Sequence, residues 1–235
     1  MHLIGTYILL FFIYAFIGWI GEVCLALVIE KKFINRGFLI GPYCPIYGVG
    51  CVLLTICLQS FIKYPILVFI MSLLLCSGLE YATSYIMEKL FKARWWDYSN
   101  YKFNINGRIC LRYMLAFGIL GTLIMYLVNP LVLALINKIP LTILLILISM
   151  LSIIFIIDNI LSFKIIYTFK NTILSVAKDN TEEINQKVHE ILLEATGLAK
   201  RLRNAFPNLK VTIKNTKKEI EKHVKHITKK IKDSK

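Results

Sequence analysis

Asn35-Arg-Gly-Phe-Leu-Ile-Gly-Pro-Tyr-Cys-Pro-Ile-Tyr-Gly48 is broken too often, by Gly37, Gly41, Pro42, Pro45 and Gly48, to form a lipid-facing helix. It is also too apolar for a solvated loop. Proline removes a backbone donor and glycine relaxes the dihedrals, so such a run turns, re-enters or begins a helix under cover. Irregular backbone at membrane depth survives only where protein or a wet cavity satisfies it. Arg36 and Tyr43 are therefore expected to point into a site shared with other segments.

The composition supports a membrane setting for this stretch. Hydrophobic residues make up 57% of the chain, mean hydropathy is +0.65 and the net charge is +14. Greasiness of that order excludes a soluble nucleic-acid binder, and the charge excludes a uniformly buried chain. Segregation resolves the conflict: residues from Ile4 to about Tyr167 are mostly apolar and the remainder is charged. Met1-His2-Leu3 offers no basic leader and no small-residue cleavage site follows Ile20, so the first span is expected to be retained. Cys24, Cys44, Cys51, Cys57, Cys76 and Cys110 form no Cys-x-x-Cys pair and read as small buried hydrophobes, not as a metal or disulfide framework.

A membrane helix needs ~20 apolar residues. Five stretches qualify: about Ile4–Ile29, Tyr47–Ile62, Tyr64–Met87, Leu111–Ile136 and Pro140–Phe163, the second only if Pro42–Ile46 contribute to it. The expected architecture is all-α, a polytopic bundle over residues 1–168 with connections at 30–46 and 89–111. Orientation follows the lysines and arginines. Lys31, Lys32 and Arg36 lie in the first connection, and Lys89, Lys92, Arg94, Lys102, Arg108 and Arg112 in or beside the third. The second and fourth have only Lys63 and Lys138. The N-terminus is thus expected outside, with the basic connections and the tail in the cytoplasm.

Phe91 to Arg112 is the second unusual stretch. Trp95, Trp96, Tyr98 and Tyr101 suit the headgroup layer, but Asp97, Asn104, Asn106, Gly107 and Arg108 exceed what anchoring needs. Asn106-Gly107 is a turn signal. Beyond the last span, residues 169–206 carry a heptad seam that includes Ile184, Val188, Ile191, Leu198 and Leu202, weakened by alanines and suited to modest self-association or docking. Pro207 ends it, and residues 207–235 form a basic, amphipathic or disordered tail. From Lys164 to Lys235 seventeen Lys or Arg face eight Asp or Glu, about +9. Anionic lipid attracts such a segment by roughly 1 kcal/mol per basic residue. With few aromatics and no nucleic-acid motif, the tail fits a membrane surface better than nucleic acid. His223 and His226 sit one turn apart with no further ligand and read as solvated, so no metal is assigned.

Glu22 lies within the first span, and Glu80 lies on the small, polar stripe Ser72, Cys76, Glu80, Ser84, Glu88 of the third. A mid-bilayer charge costs at least ~2.5 kcal/mol, so each needs a partner. Both sit ~10–12 Å below the cytoplasmic end at 1.5 Å per residue. One polar pocket open to the cytoplasm is expected from Glu22, Arg36, Tyr43, Glu80, Asp97, Asn104 and Arg108, with Arg36 and Arg108 as counter-ions and Asp158 and Asn159 at its border. Glu–Arg pairs could simply pin two loops; alternatively the carboxylates hold a proton, a cation or a substrate. The second role is favoured because intramembrane carboxylates default to function.

The Asn35–Gly48 run, Glu80 with Glu88, Trp95-Trp-Asp-Tyr-Ser99 and Phe103-Asn-Ile-Asn-Gly-Arg-Ile-Cys-Leu111 resemble a bacterial family named Putative ABC-transporter type IV, over roughly Phe11 to Leu120. Ala205-Phe-Pro207 after an arginine-rich helix is also similar. The resemblance implies a multi-pass permease-type protein of the bacterial cytoplasmic membrane. No glycine is followed by lysine, so this chain has no phosphate-cradling Gly-x4-Gly-Lys-Ser/Thr loop and any ATPase would be a separate subunit. A permease with a Glu/Arg pocket is the leading function. A scaffold that recruits partners, or further copies of itself, through its heptad and basic tail is second. An intramembrane lipid-modifying enzyme is third, since the bundle has no histidine beyond His2 and general-base chemistry would fall to Glu22 or Glu80 alone. No catalytic residue and no cofactor are assigned.

Overall fold

Leu3 to Ile29 contains no proline and no charge but Glu22, and it forms the single helix α1 (His2–Glu30). The computed structural model describes residues 2–91, 93–176 and 210–211. After α1 come α2 (Pro45–Leu58), which tightens into a 3-10 turn at Gln59–Phe61, and α3 (Pro65–Phe91). The connection after α3 has three two-residue strands, β1 (Ala93–Arg94), β2 (Asn104–Ile105) and β3 (Ile109–Cys110). Helices α4 (Leu111–Leu123), α5 (Asn129–Asn137) and α6 (Leu141–Val176) complete the bundle. A lone strand β4 (Lys210–Val211) pairs antiparallel with β1.

Among the described residues four helices are long and apolar enough to cross a membrane: His2–Glu30, Pro65–Phe91, Leu111–Asn137 and Leu141–Lys164. The expected second span is the shorter apolar helix Pro45–Phe61. Its start explains its length. The Cys44 amide donates to the Ala15 carbonyl at 2.8 Å, halfway down α1. From Glu30 the chain therefore turns back and descends beside α1, deeper than a surface placement, and α2 begins inside the bundle with Pro45 in its first turn.

Close helix contacts rest on glycine. A Cβ at Gly48 of α2 would lie 2.5 Å from the Phe11 carbonyl oxygen of α1, and one at Gly121 of α4 would lie 2.6 Å from Ser72 Cβ of α3. Small residues let backbones approach where lipid gives no hydrophobic drive. Leu10, Leu144 and Ile136 bring α1, α6 and α5 into one buried cluster, and Leu54, Leu58, Val68 and Met125 join α2, α3 and the end of α4. Pro130 has no amide hydrogen to give and its ring crowds the preceding turn; the span widens into one π turn, Ile124–Val128, just before it.

All six cysteines are free, with Cys44, Cys51 and Cys110 buried. The expected division at residue 168 falls within α6, which runs unbroken to Val176. The heptad positions Ile184, Val188, Ile191, Leu198 and Leu202 lie outside the described residues.

Candidate functional site

The first 163 residues carry six acidic side chains: Glu22, Glu30, Glu80, Glu88, Asp97 and Asp158. All six are engaged by hydrogen bonds or ion pairs, and they sort into three groups.

The first group is Glu22 and Glu80 with the tyrosines that bond them. α1 supplies Glu22 and α3 supplies Glu80, each bonded to a tyrosine hydroxyl from another element. Tyr47, in the first turn of α2, lies where both carboxylates act on it. Its ring packs against Gly18, where a Cβ would come 2.4 Å from a ring carbon, and its hydroxyl donates to Glu22 Oε1 at 2.5 Å. Glu80 Oε1 accepts from the Tyr98 hydroxyl at 3.3 Å. Burial first, and the Glu80 charge second, push the Tyr98 phenol well above its ordinary range, so it remains a donor. Arg36 sits at the rim. Its Nη2 pairs with Glu30 Oε1 at 2.6 Å, its Nη1 is 3.9 Å from Glu22 Oε2, and its buried Nε has no hydrogen-bond partner among the described residues. Also among the described residues, no cation lies within ion-pair distance of Glu80.

The second group surrounds Glu88. Arg108 Nη1 lies 2.9 Å and Arg94 Nε 3.1 Å from Glu88 Oε2. Arg108 also donates to Ser84 Oγ at 3.3 Å, and its guanidinium lies over the rings of Tyr81 and Tyr85 at 5.8 and 5.3 Å. Asn106 and Gly107 both have positive φ, 53° and 66°, and Arg108 N–H donates to the Ile105 carbonyl across them. That is the tight hairpin turn Asn-Gly favours, and it aims Arg108 at α3. A side chain at Gly107 would strike Ser99 Oγ and Asp97 Oδ1 at 2.4 and 2.6 Å.

Arg108 is thus not the counter-ion of Glu80. Glu88 stands eight residues further along the same face and is nearer the hairpin, so it takes both arginines. Asp97 and Asn104 likewise serve their own connection. Asp97 accepts from the Ser99 amide at 3.0 Å and lies 3.6 Å from Arg94 Nη1. Asn104 donates to the Tyr101 carbonyl at 2.8 Å and accepts from the Gly107 amide at 3.0 Å. Neither has a hydrogen bond to Glu22 or Glu80.

The third group holds the descending segment. Asp158 of α6, 8% exposed, accepts from the amides of Ile40 and Gly41 at 3.1 and 2.7 Å, from Ser162 Oγ at 2.9 Å and from the Tyr43 hydroxyl. Tyr43 therefore faces Asp158 and not the Glu22–Glu80 pocket. Asn159 turns back to its own helix, donating to the Phe155 carbonyl. Asn35 ties the start of the segment, accepting from Trp19 Nε1 at 2.8 Å and the Gly37 amide at 3.0 Å. Phe38 inserts its ring among Phe91, Trp95 and Phe163.

The sequence alone does not single out Tyr47, although it stands two residues after Pro45 and one turn from Cys44. Tyr14 and Asn129 were missed too. Asn129 is 1% exposed inside the π-turned span and accepts from the Tyr14 hydroxyl at 3.2 Å. An asparagine beside a proline in an apolar run was the available signal. Among the described residues no three His, Cys, Asp or Glu are grouped to hold a metal ion.

Residues 9–163 match a family model described as Putative ABC-transporter type IV, two thirds of the chain, and the protein belongs to that family. No curated protein and no solved structure matches it. Its four long apolar helices make it a multi-pass membrane protein.

Proposed function

From membership of that family, we propose that the chain is a permease-type subunit that binds a proton or small monovalent cation between Glu22 and Glu80, and that works with a separate ATPase. The observation that carries this is the imbalance of the pocket. Glu22 accepts from the Tyr47 hydroxyl and Glu80 from the Tyr98 hydroxyl, both neutral donors, and among the described residues the one guanidinium within ion-pair distance of Glu22 is committed to Glu30. Like charges at close range in an apolar bundle lower their energy by sharing a proton or a cation.

The same proposal places the pocket on the cytoplasmic side of the bacterial inner membrane. Phe38 meets rings from the ends of α3 and of the apolar part of α6, and Arg36 meets Glu30 at the end of α1. Three helices therefore deliver their C-terminal ends to one face. That requires α2 and the α4–α5 span to return across the bundle, which gives five crossings, the second composed of the descending segment plus α2. Lys31, Lys32, Arg36, Lys89, Arg94, Lys102, Arg108 and Arg112 gather at this face, against Lys63 and Lys138 opposite. The N-terminus then lies outside and the basic tail meets the anionic inner leaflet.

Carbodiimide labelling tests the pocket, because the reagent modifies protonated carboxyls in apolar surroundings. Glu80 and Glu22 of the purified full chain should be labelled at low salt and protected progressively by added Na+ or K+. Labelling of neither residue, or labelling indifferent to both cations and to pH, refutes the proposal.

A further inference from the structure

Asp158 is a carboxylate in an apolar helix with no cation within ion-pair distance among the described residues. Its charge is balanced by four donors instead, and three of them belong to the descending segment: the Ile40 amide, the Gly41 amide and the Tyr43 hydroxyl. The fourth, Ser162 Oγ, also accepts from the Ile40 amide at 3.2 Å, so two side chains one turn apart on α6 hold the same peptide. The Tyr43 ring lies against Phe155, a further turn down α6, at 5.5 Å between centroids.

The residues just after Tyr43 give this grip a purpose. The Cys44 amide is seated on the Ala15 carbonyl, the Tyr47 amide donates to the Cys44 carbonyl at 3.1 Å, and the Tyr47 hydroxyl reaches Glu22. Three residues separate the atom held by α6 from the side chain that enters the pocket. Little slack remains, since Pro45 restricts the backbone between them. We propose that Asp158 is a positioning residue for the Glu22–Glu80 pocket: by holding Ile40–Tyr43 it sets the depth at which α2 begins and hence the contact of Tyr47 with Glu22. It rests on the pocket assigned above for its purpose, though not for its geometry.

Cys44, 7% exposed, is a native reporter of the segment. The full chain in mild detergent, with the other five cysteines replaced by alanine, is treated with a maleimide, and in parallel with a carbodiimide without added cation. Asp158→Asn keeps one acceptor oxygen and orphans the donors on the other. It should raise the Cys44 labelling rate about tenfold or more and change the Glu22 labelling rate in the same protein. Tyr43→Phe, which removes one hydroxyl and is the milder variant should Asp158→Asn fail to fold, should shift both readouts the same way by less. An unchanged Cys44 rate in folded variants overturns the proposal. So does a faster Cys44 rate with Glu22 reactivity unmoved, since Asp158 then only holds a loop. Cation protection of Glu80 and Glu22 in the wild-type chain is a separate result: its absence defeats the pocket while leaving these two rates to decide the role of Asp158.

Discussion

Two irregular connections meet at one face of the bundle, each carrying an arginine toward a glutamate, and they solve the electrostatics differently. In the hairpin after α3, Glu88 has Arg94 and Arg108 within 3.1 Å, and Arg108 is further held by Ser84 and two tyrosine rings. In the descending segment after α1, Arg36 is split between Glu30 at 2.6 Å and Glu22 at 3.9 Å, and its Nε is unsatisfied among the described residues. In the hairpin cluster each carboxylate has a guanidinium beside it. The proposed Glu22–Glu80 site, by contrast, combines two carboxylates with neutral tyrosine donors and one shared guanidinium. A closed ion cluster holds a fold, whereas one with charge to spare is arranged for an occupant.

That contrast predicts an order of effects on apparent thermal stability in detergent. Arg108→Met should be the most damaging. Losing the sole partner of a buried acid costs ~3–5 kcal/mol, and with Arg94 left in place about 2–3 kcal/mol is expected. Gly107→Ala comes next, at roughly 1–3 kcal/mol, because its φ of 66° and the 2.4 Å approach to Ser99 Oγ both oppose a side chain. Arg36→Met should cost less, about 1 kcal/mol or below, since its side chain keeps 21% of its exposure and engages Glu22 weakly. Glu80→Gln should sit within about 0.5 kcal/mol of the wild type. It keeps an acceptor for Tyr98 and removes a repulsion, yet it should abolish cation protection of Glu22. If Glu80→Gln unfolds the protein while Arg108→Met is tolerated, the assignment of the two regions is reversed.

Much of this was legible in the residues. Gly37, Gly41, Pro42 and Pro45 announced a segment that leaves the helix and re-enters, and the stripe from Ser72 to Glu88 announced the inward face of α3. Glu22 and Glu80 stood out as acids in greasy runs, and each accepts a hydrogen bond from a tyrosine of another element. Pairing was not legible. Which glutamate meets Arg108 depends on the height of a hairpin above α3, and spacing along the chain is silent about that. Tyr43 was placed with the wrong acid for a related reason: Asp158 is remote in sequence, and only the packing of α6 against the segment brings them together. Asp97 and Asn104 looked like pocket groups because short polar side chains in a loop bond either outward or to their own turn, and here the turn wins. The shortness of α2 was legible, since the second apolar run reaches spanning length only with Pro42–Ile46, and residues 42–44 are not helix.

The most direct test of the central claim is the salt dependence of carbodiimide modification at Glu80, followed residue by residue by mass spectrometry in the intact protein. Modification that falls as Na+ or K+ is raised, in the wild type and in Arg108→Lys but not in Glu22→Gln, is the predicted result. Modification of Glu80 that ignores both cations and ignores the loss of Glu22 would show two independent acids with no shared occupant, and would contradict it.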